Sequence, residues 1–317
     1  MVYPLKMCPI YKQYLWGGEN LISLGKPLPF SQVGESWELS EHPSSISTIA
    51  NGTQQGKTLT QVRNIWQEKL FGKAYATVPC PLLTKFLDAT EQLSIQVHPT
   101  PEKGGKGEVW YIISAQPGAK IIYGLKPGTK KEEVLPVLGT KHLCSLLNEV
   151  PVSPGEVYYI PPGLIHSLGK GILAAEIQQK SDITYRLYDF DRKDPQEKPR
   201  PLHLQEGSAC IHWQQNQNPT TNIYQTKETA HYQETIYQTT PSFHFSTLKI
   251  HKHITRQTTE EHFTVLVCIQ GQGELIWPKG SLPIKQGDTF LLPAALGKYT
   301  IKNQLTTTLV LLTANPI

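Results

Sequence analysis

Short β-type runs bounded by turn residues dominate the hydrophobic pattern of this chain. Proline and glycine are frequent, with 25 and 24 residues. Runs rich in β-branched and aromatic residues between such turn signals are typical of β-strands. The pattern therefore predicts a mainly β fold with a few short helices. The clearest strand candidates are LLTKFLDA, LSIQVHP, EVWYIISA and KIIYGL in the first half, and FHFSTLKIHKH, FTVLVCIQGQGELIW, DTFLLPA and TTTLVLLTA near the end.

The clearest helix prediction follows Thr58. Thr58 and Gln61 have the spacing of a capping box, in which each side chain bonds to the backbone of the other residue. Gly72 can end the helix. Apolar residues at helical spacing would form one packing face, namely Leu59, Val62, Trp66 and Leu70.

A second helical segment is predicted between residues 129 and 150. Thr129 and Glu132 fit another capping box. Pro136 and Gly139 interrupt the pattern, because proline removes a backbone donor and glycine favours turns. We therefore expect two short helices here.

The composition changes after a last short helix, which is predicted near residues 202–209. Residues 213–238 are rich in Gln, Asn and Thr. Such a segment is expected to be a surface connection that can contain an edge strand. The strand candidates after it would form a smaller C-terminal β domain.

A strand followed by a rigid turn places one histidine at a defined angle. The stretch GEVYYIPPGLIH begins at Gly155, breaks at Pro161-Pro162-Gly163 and ends at His166. Proline fixes φ and glycine permits an unusual turn, so the backbone sets the direction of the imidazole. Its spacing resembles the second motif of the cupin superfamily, which consists of small β-barrels that usually bind a metal ion.

The C-terminal part repeats this frame without the histidine. Gly287 and Pro293 have the same separation as Gly155 and Pro161, but Ala-Ala-Leu-Gly-Lys follows. We therefore expect two cupin-type (jelly-roll) β-barrels, of which only the first has a metal site. The expected division is a catalytic domain at 1–212 with helical insertions, a connection at 213–240, and a degenerate domain at 241–317. The remaining C-terminal histidines are expected at the surface or in packing: His251, His253 and His262.

Three short stretches supply candidate metal ligands. Gln96 and His98 alternate on one strand and should project to the same face. Glu108 begins the next strand candidate and His166 leaves the proline-glycine turn. Two imidazoles, a carboxylate and an amide oxygen suit Zn²⁺, and the two histidines with the carboxylate would also suit Fe(II).

Other polar residues interrupt apolar strands around these ligands. Lys85 lies among leucines and Phe86, and burying an unpaired ammonium is costly, so Lys85 should meet an anion. Structural ion pairs would explain each of these residues individually. The further candidates are Ser94, Lys106, Glu176, Asp182 and Arg186.

Composition excludes several classes of function. The net charge of +4 comes without a basic block or nucleic-acid motif, so no nucleic-acid partner is expected. No run approaches the roughly 18 apolar residues of a membrane span, and the N-terminus lacks the features of a secretion signal. Five scattered cysteines without a C-x-x-C pair favour a reducing, cytoplasmic location and argue against a thiolate metal site.

The combined motifs resemble the type I phosphomannose isomerases, in the short bacterial form. They follow the order of that family from about Trp16 to Arg192. The motifs are GESWELS, LLTKFLDA, LSIQVHP, GKGEVWYII, GLKPGT and IPPGLIHSLGKGILAAEIQQKSDITYRLYDFDR.

This resemblance implies roles for individual residues. It implies one Zn²⁺ per chain held by Gln96, His98, Glu108 and His166. It implies an active-site lysine at Lys106, pocket carboxylates at Glu176 and Asp182, and an active-site arginine at Arg186. The phosphate-binding serine falls on Ser94, with Lys85 as a helper. Longer members have His and Pro where this chain has Gly105 and Gly107, so the path of the proton is not assigned.

The reaction implied is the conversion between mannose 6-phosphate and fructose 6-phosphate through an enediolate. Glu176 and Lys106 are both candidates for the proton-transfer base. Two alternatives belong to other classes: an Fe(II) dioxygenase with the same ligands, and a sugar-phosphate sensor without turnover. The sequence specifies no oligomeric state and no ligand for the second barrel.

Overall fold

Four main β-sheets make up the computed structural model, which describes residues 1–194, 196–214, 223–237 and 240–317. The mainly β prediction is confirmed. The strands of the first part are β1 (Leu5–Lys6), β2 (Ile10–Gly18), β3 (Val33–Leu39), β4 (Glu41–His42), β5 (Ser45–Ile46), β6 (Leu82–Ala89), β7 (Ile95–Val97), β8 (Glu108–Ala115), β9 (Lys120–Leu125), β10 (Leu147–Pro151), β11 (Val157–Ile160), β12 (His166–Ser167), β13 (Ile172–Gln179) and β14 (Tyr185–Tyr188). Those of the second part are β15 (Ile223–Glu228), β16 (Tyr232–Tyr237), β17 (Phe243–Ile250), β18 (His253–Gln257), β19 (Thr264–Gln270), β20 (Gln272–Trp277), β21 (Gly280–Lys285), β22 (Thr289–Leu292), β23 (Lys298–Asn303) and β24 (Leu309–Pro316).

Two sheets from the first part carry the candidate site. One has six strands in the order β11-β8-β13-β6-β3-β2, and the other has five in the order β10-β9-β12-β7-β14. Every pairing within them is antiparallel. Antiparallel pairing joins residues that are distant in sequence, and it brings all the candidate residues onto these two sheets or the turns beside them.

The second part forms a seven-stranded sheet, β1-β22-β19-β24-β17-β16-β15, and a four-stranded sheet, β18-β23-β20-β21. Strand β1 belongs to this larger sheet although it begins the chain, since Leu5 pairs with Leu291. The expected connection at 213–240 contains two strands at the sheet edge, β15 and β16. Its residues 215–222 and 238–239 lie outside the described ranges.

The helices are α1 (Leu59–Trp66), α2 (Glu68–Phe71), α3 (Lys131–Val134) and α4 (Leu204–Cys210). The 3₁₀ helices are Asn20–Leu24, Gly52–Gln54, Lys73–Tyr75, Pro101–Lys103, Leu135–Val137, Lys141–Leu146 and Ala294–Leu296. The predicted capping box at Thr58 and Gln61 is confirmed. Gln67, with φ of 49°, divides the predicted helix into α1 and α2, and nothing in the sequence marks this break.

The prediction for residues 129–150 is correct only in part. The side chain of Glu133 accepts the Lys130 N–H at 2.7 Å, so this helix cap lies one residue later than predicted. After α3 the chain continues as 3₁₀ turns, because proline removes a backbone donor there. Residues 147–151 form a strand, β10, instead of a helix, and they pair with β9.

One apolar core joins the two parts of the chain. Phe71 and Ile177 from the first part pack in the same cluster as Phe245 and Phe263 from the second. The rings of Phe71 and Phe263 have centroids 4.9 Å apart. Smaller clusters fill the space within each part. Within the described ranges, no helix combines the length and apolar character required to cross a membrane.

The repeated frame in the C-terminal part is also a repeated structure. Gly155 and Gly287 have φ of 91° and 83°, and strands β11 and β22 follow them. After Pro293 the chain enters a 3₁₀ helix at the place where His166 follows β11 in the first part. His251 and His253 are exposed and His262 is half-buried.

Candidate active site

Two facing rows of paired residues build the candidate site. On the five-stranded sheet, Gln96 pairs with His166 on one side and with Arg186 on the other. On the six-stranded sheet, Glu176 pairs with Lys85 and with Trp110. Directly paired residues point to the same face of a sheet, so each row presents its side chains together.

Glu108 lies at the centre of a buried cluster with His98 and His166. Its oxygens Oε2 and Oε1 are 3.4 Å from His98 Nε2 and 3.6 Å from His166 Nε2. The three side chains are at most 1% exposed. One potential ligand atom from each residue lies within 4.8 Å of those of the other two. Among the described residues, this is the only cluster of three or more histidine, cysteine or acidic side chains with such spacing.

The protonation of the two histidines suits metal binding. His98 Nδ1 is 3.0 Å from the Ile183 carbonyl oxygen, and His166 Nδ1 is 2.8 Å from that of Leu164. A carbonyl only accepts, so each Nδ1 carries the proton and each Nε2 presents a lone pair to Glu108. Burial lowers the pKa of His98, and burial with the neighbouring His98 lowers the pKa of His166 to about 3.

The Glu108 carboxylate is ionised in this cluster. Burial alone would raise its pKa, but the Lys106 ammonium, 2.8 Å from Oε2, holds the pKa well below its usual range. His98 Nε2 and both carboxylate oxygens of Glu108 are buried without a hydrogen-bond partner of good geometry, although Lys106 Nζ lies 2.8 Å from Oε2. Buried polar atoms in this condition are costly, and a cation between them would satisfy all three. The residues therefore fit a divalent metal ion.

Gln96 adjoins the cluster through its side-chain amide. Its Nε2 lies 3.2 Å from His166 Nε2, and its Oε1 accepts a hydrogen bond from Ser94 Oγ at 3.3 Å. Rotation of the amide would present the oxygen to the cluster instead. Ser94, which is buried, contacts this amide and also lines the cavity.

A cavity of about 190 Å³ extends from this cluster between the two sheets. Gln96 and Lys106 form the part of its wall beside the histidine–carboxylate cluster. Its lining also includes the predicted site residues outside the proposed ligand set: Lys85, Ser94, Glu176, Asp182 and Arg186.

Lys85 is surrounded by three carboxylates. Its Nζ lies 3.3 Å from Glu176, 3.7 Å from Glu35 and 3.9 Å from Asp182. The ammonium also lies 5.0 Å from the centre of the Trp37 ring. Burial would lower the pKa of Lys85, but these acids raise it above the usual value. Lys85 therefore meets anions of the protein itself.

Glu176 and Lys106 are held in different ways. Burial and the nearby Glu108 raise the pKa of Glu176, against the opposing effect of Lys106 and Lys85. Trp110 Nε1 donates to Glu176 at 2.9 Å. Lys106 Nζ donates to Gln178 Oε1 at 2.6 Å.

Arg186 extends from β14 into the cavity. Its Nη1 donates to the Pro201 carbonyl oxygen at 2.8 Å, and its Nε is buried without a hydrogen-bond partner among the described residues. Burial and the neighbouring Arg200 lower its pKa. Asp182 is the most open of the charged residues here, with 43% of its side chain exposed.

The sequence interpretation missed several residues that line the cavity or contact its lining. Gln178, which accepts a hydrogen bond from Lys106, could have been found, because it lies two residues after Glu176 on the same face of β13. Glu35, in the buried strand β3, carries the same signal of a charge within an apolar run. The other missed lining residues are Tyr14, Trp16, Trp110, Thr184 and Arg200.

These features define a β protein of the cupin class with a buried histidine–carboxylate cluster suited to a metal ion. Residues 4–117 match the family model for the catalytic domain of type I phosphomannose isomerase, and residues 233–312 match that for the mannose-6-phosphate isomerase cupin domain. The chain belongs to the type I phosphomannose isomerase family. This confirms the predicted resemblance and the prediction that the chain is an isomerase of this family.

Individual relatives agree with this assignment over almost their whole length. Mannose-6-phosphate isomerase ManA of Bacillus subtilis is 37% identical over 94% of this chain and 96% of its own. Mannose-6-phosphate isomerase of Streptococcus mutans is 35% identical over 96% of this chain and 97% of its own. The crystal structure of the mannose 6-phosphate isomerase from Bacillus subtilis matches with a TM-score of 0.89 and 33% identity, covering 98% of this chain and 99% of that one.

Proposed function

We propose that this chain interconverts mannose 6-phosphate and fructose 6-phosphate in the cavity beside Glu108. The observation that carries the proposal is the buried cluster of two neutral imidazoles and one carboxylate with unpaired donor atoms. It adjoins a cavity lined by lysine, glutamate and arginine side chains, the groups that proton transfer between neighbouring carbons requires.

We propose Zn²⁺ as the metal ion, held by His98, Glu108 and His166 together with the amide oxygen of Gln96. Nitrogen and oxygen donors of this kind suit Zn²⁺. A catalytic Zn²⁺ would supply the positive charge that stabilises a developing oxyanion. Because only Glu108 is anionic, the positive charge of the ion would not be fully neutralised by its ligands.

The reaction must move one proton between C2 and C1 of the sugar and another between O1 and O2. Its high-energy species is an enediolate, which needs a base near the carbons and positive charge near the oxygens. We assign proton transfer to Glu176 or Lys106. The pKa of Glu176 is raised and therefore lies nearer to neutral pH than that of an ordinary carboxyl group. Such a group can both accept and return a proton.

Arg186 and Asp182 would complete the contacts with the sugar. The Arg186 guanidinium has a buried Nε without a hydrogen-bond partner in the described structure, and we assign it to stabilising the enediolate or a hydroxyl group. Asp182, at the open side of the cavity, is assigned to the carboxylates that contact the sugar. Ser94 and Lys85 are proposed contacts of the phosphate end, where binding energy would orient the reacting carbons.

A coupled enzymatic assay tests the proposal directly. Purified protein should convert mannose 6-phosphate into fructose 6-phosphate without consuming oxygen. Binding of the sugar phosphate without turnover would instead indicate the sensor alternative. Oxygen uptake with bound iron would indicate the dioxygenase alternative, which leaves the charged lining of the cavity unexplained.

We also propose the two-barrel division at 1–212, 213–240 and 241–317. The repeated glycine-strand-proline frame at Gly155 and Gly287 supports it, as does the presence of two pairs of sheets. A cytoplasmic location is proposed because all five cysteines are free thiols.

A further inference from the structure

Two arginines share a single carboxylate beside the cavity, and a third arginine lies next to them. Arg200 Nε and Nη2 donate to the two oxygens of Asp189 at 2.7 and 2.5 Å. Arg192 Nη2 donates to the same carboxylate at 2.5 Å. Arg186 lies beside this pair, because it bonds to the carbonyl oxygen of Pro201, the residue after Arg200, and lines the same cavity. We call Arg186, Arg192, Arg200 and Asp189 the arginine cluster.

The arginine cluster has an excess of positive charge. Asp189 is only 4% exposed. Burial would raise its pKa, but Arg200 and Arg192 lower it below the usual value, so the carboxylate is ionised. Three guanidinium groups and one carboxylate leave two positive charges without a partner in the cluster. This excess equals the charge of a phosphate monoester dianion.

The surroundings of Lys85, which lines the same cavity, have the reverse charge balance. There Lys85 lies within 4.0 Å of three carboxylates, those of Glu35, Glu176 and Asp182. A dianion placed beside Lys85 alone would meet these carboxylates as well. The charge distribution within the cavity therefore favours an anion near the arginine cluster.

Arg200 is held in place by its neighbours along the chain. It lies between Pro199 and Pro201, and the carbonyl oxygen of Pro201 accepts from Arg186 Nη1 at 2.8 Å. The segment that follows Arg200 is hydrogen-bonded to β14, because the backbone N–H of His203 donates to the Arg186 carbonyl oxygen at 2.8 Å. Proline restricts the backbone on both sides. Arg200 is thus positioned before any ligand arrives.

Donor groups remain for a ligand. A guanidinium has five N–H groups, and Asp189 uses two of those on Arg200. Arg200 and Arg186 both line the cavity, and the Arg200 side chain is 21% exposed. Planar guanidinium groups match phosphate oxygens in geometry as well as in charge.

We propose that Arg200, positioned by Asp189, binds the phosphate group of the substrate. This inference rests on the proposed function, because the substrate considered is a sugar phosphate. It adds to Ser94 and Lys85 the positive charge that Lys85, with its three acidic neighbours, does not supply. Asp189 is a positioning residue, since it acts through Arg200.

The test measures binding of inorganic phosphate and of mannose 6-phosphate by titration calorimetry, with KM and kcat from the coupled assay. The variant is Arg200→Met, which removes the charge and keeps the length of the side chain. Loss of a charged hydrogen-bond partner should weaken phosphate binding and raise KM by about 10- to 100-fold, with a smaller effect on kcat. Lys193→Met is the matched control, because it removes one positive charge from the same segment at an exposed position. It should bind phosphate like the wild type.

A second variant addresses folding. Arg200→Lys keeps the charge but loses the bidentate hydrogen bonds to Asp189. Its affinity for phosphate should lie between those of the wild type and Arg200→Met. Unchanged phosphate binding in Arg200→Met, or no phosphate binding by the wild type, would overturn the inference. Wild-type protein that binds phosphate through Arg200 but has no isomerase activity would retain the arginine site and refute the proposed function.

Discussion

At the scale of single residues, most buried charges of this site have a partner within the protein. Lys85 has three acidic neighbours, and Lys106 contacts Glu108 and Gln178. Arg186 is different, because its buried Nε has no hydrogen-bond partner among the described residues. A buried donor without a partner is costly, and a substrate oxygen would satisfy it.

Arg186→Ala should therefore impair turnover while the metal ion stays bound. We expect kcat to fall about 10²- to 10³-fold, as for loss of a group that stabilises developing negative charge. The metal content, measured by mass spectrometry, should not change. Arg256→Ala, a half-buried arginine of β18 in the C-terminal part, is the control and should stay within about threefold of wild type. Near-normal turnover of Arg186→Ala would remove Arg186 from the mechanism.

Sequence spacing predicted the residues of the proposed metal site because they belong to short motifs with local signatures. Gln96 and His98 alternate on one strand, and His166 follows a proline-glycine turn. The arginine cluster could not be predicted in this way. A loop separates Asp189 from Arg200 in the sequence. The two residues meet only because this loop folds back against β14 in the tertiary structure.

At the scale of elements, the loop from Pro99 to Lys106 positions two of the residues proposed to bind the metal ion. It joins β7 to β8, so it follows His98 directly and precedes Glu108. A Cβ atom at Gly105 would lie 1.8 Å from the Pro99 carbonyl oxygen. Only glycine permits this close approach. The glycine at position 105 thus matches the close return of the chain to Pro99.

Gly105→Ala should disturb the site through this contact. Relief of the clash must shift Pro99 or Lys106, and with them the imidazole or the carboxylate of the cluster. We expect metal affinity to fall about 10- to 100-fold, as for loss of groups that orient metal ligands. The measurement is competition with a chelating dye.

Gly118→Ala provides the comparison for Gly105→Ala. A Cβ at Gly118 meets no atom within 4 Å, although φ is +80°. This variant should lose about 1 kcal/mol of stability from backbone strain and keep its metal affinity. Equal metal affinities of the two variants would show that the turn does not position the ligands.

Sequence patterns predicted strands and one helix cap correctly. They failed where pairing with a distant strand determines the secondary structure. Thr58 and Gln61 interact within one turn, so their spacing was sufficient. Residues 147–151 have no strong local preference, and their pairing with β9 makes them a strand.

At the scale of the whole molecule, a shared core connects the two parts of the chain. Phe263 is fully buried among residues of both parts, and β1 pairs with β22 of the C-terminal sheet. The sequence indicated two β units but not this connection, because a pattern of apolar residues does not specify which other residues they pack against. We expect the two parts to unfold together.

Phe263→Ala tests this cooperativity. Removing the ring should cost about 3–5 kcal/mol, because a cavity remains in a close-packed core. Calorimetry should show one unfolding transition at a lower temperature, and hydrogen exchange in β8 and β19 should accelerate together. Phe30→Ala, at a residue that is 38% exposed, should change little. Two separate transitions, with β8 unaffected, would show that the parts fold independently.

The central claim is that His98, Glu108 and His166 bind the metal ion on which the isomerase reaction depends. The most direct measurement compares metal content and conversion of mannose 6-phosphate in wild type, His166→Ala and the control His253→Ala, whose histidine is exposed. Wild type and control should contain one Zn²⁺ per chain and be active, and His166→Ala should lose both metal and activity. A fully active His166→Ala protein without metal would contradict the account.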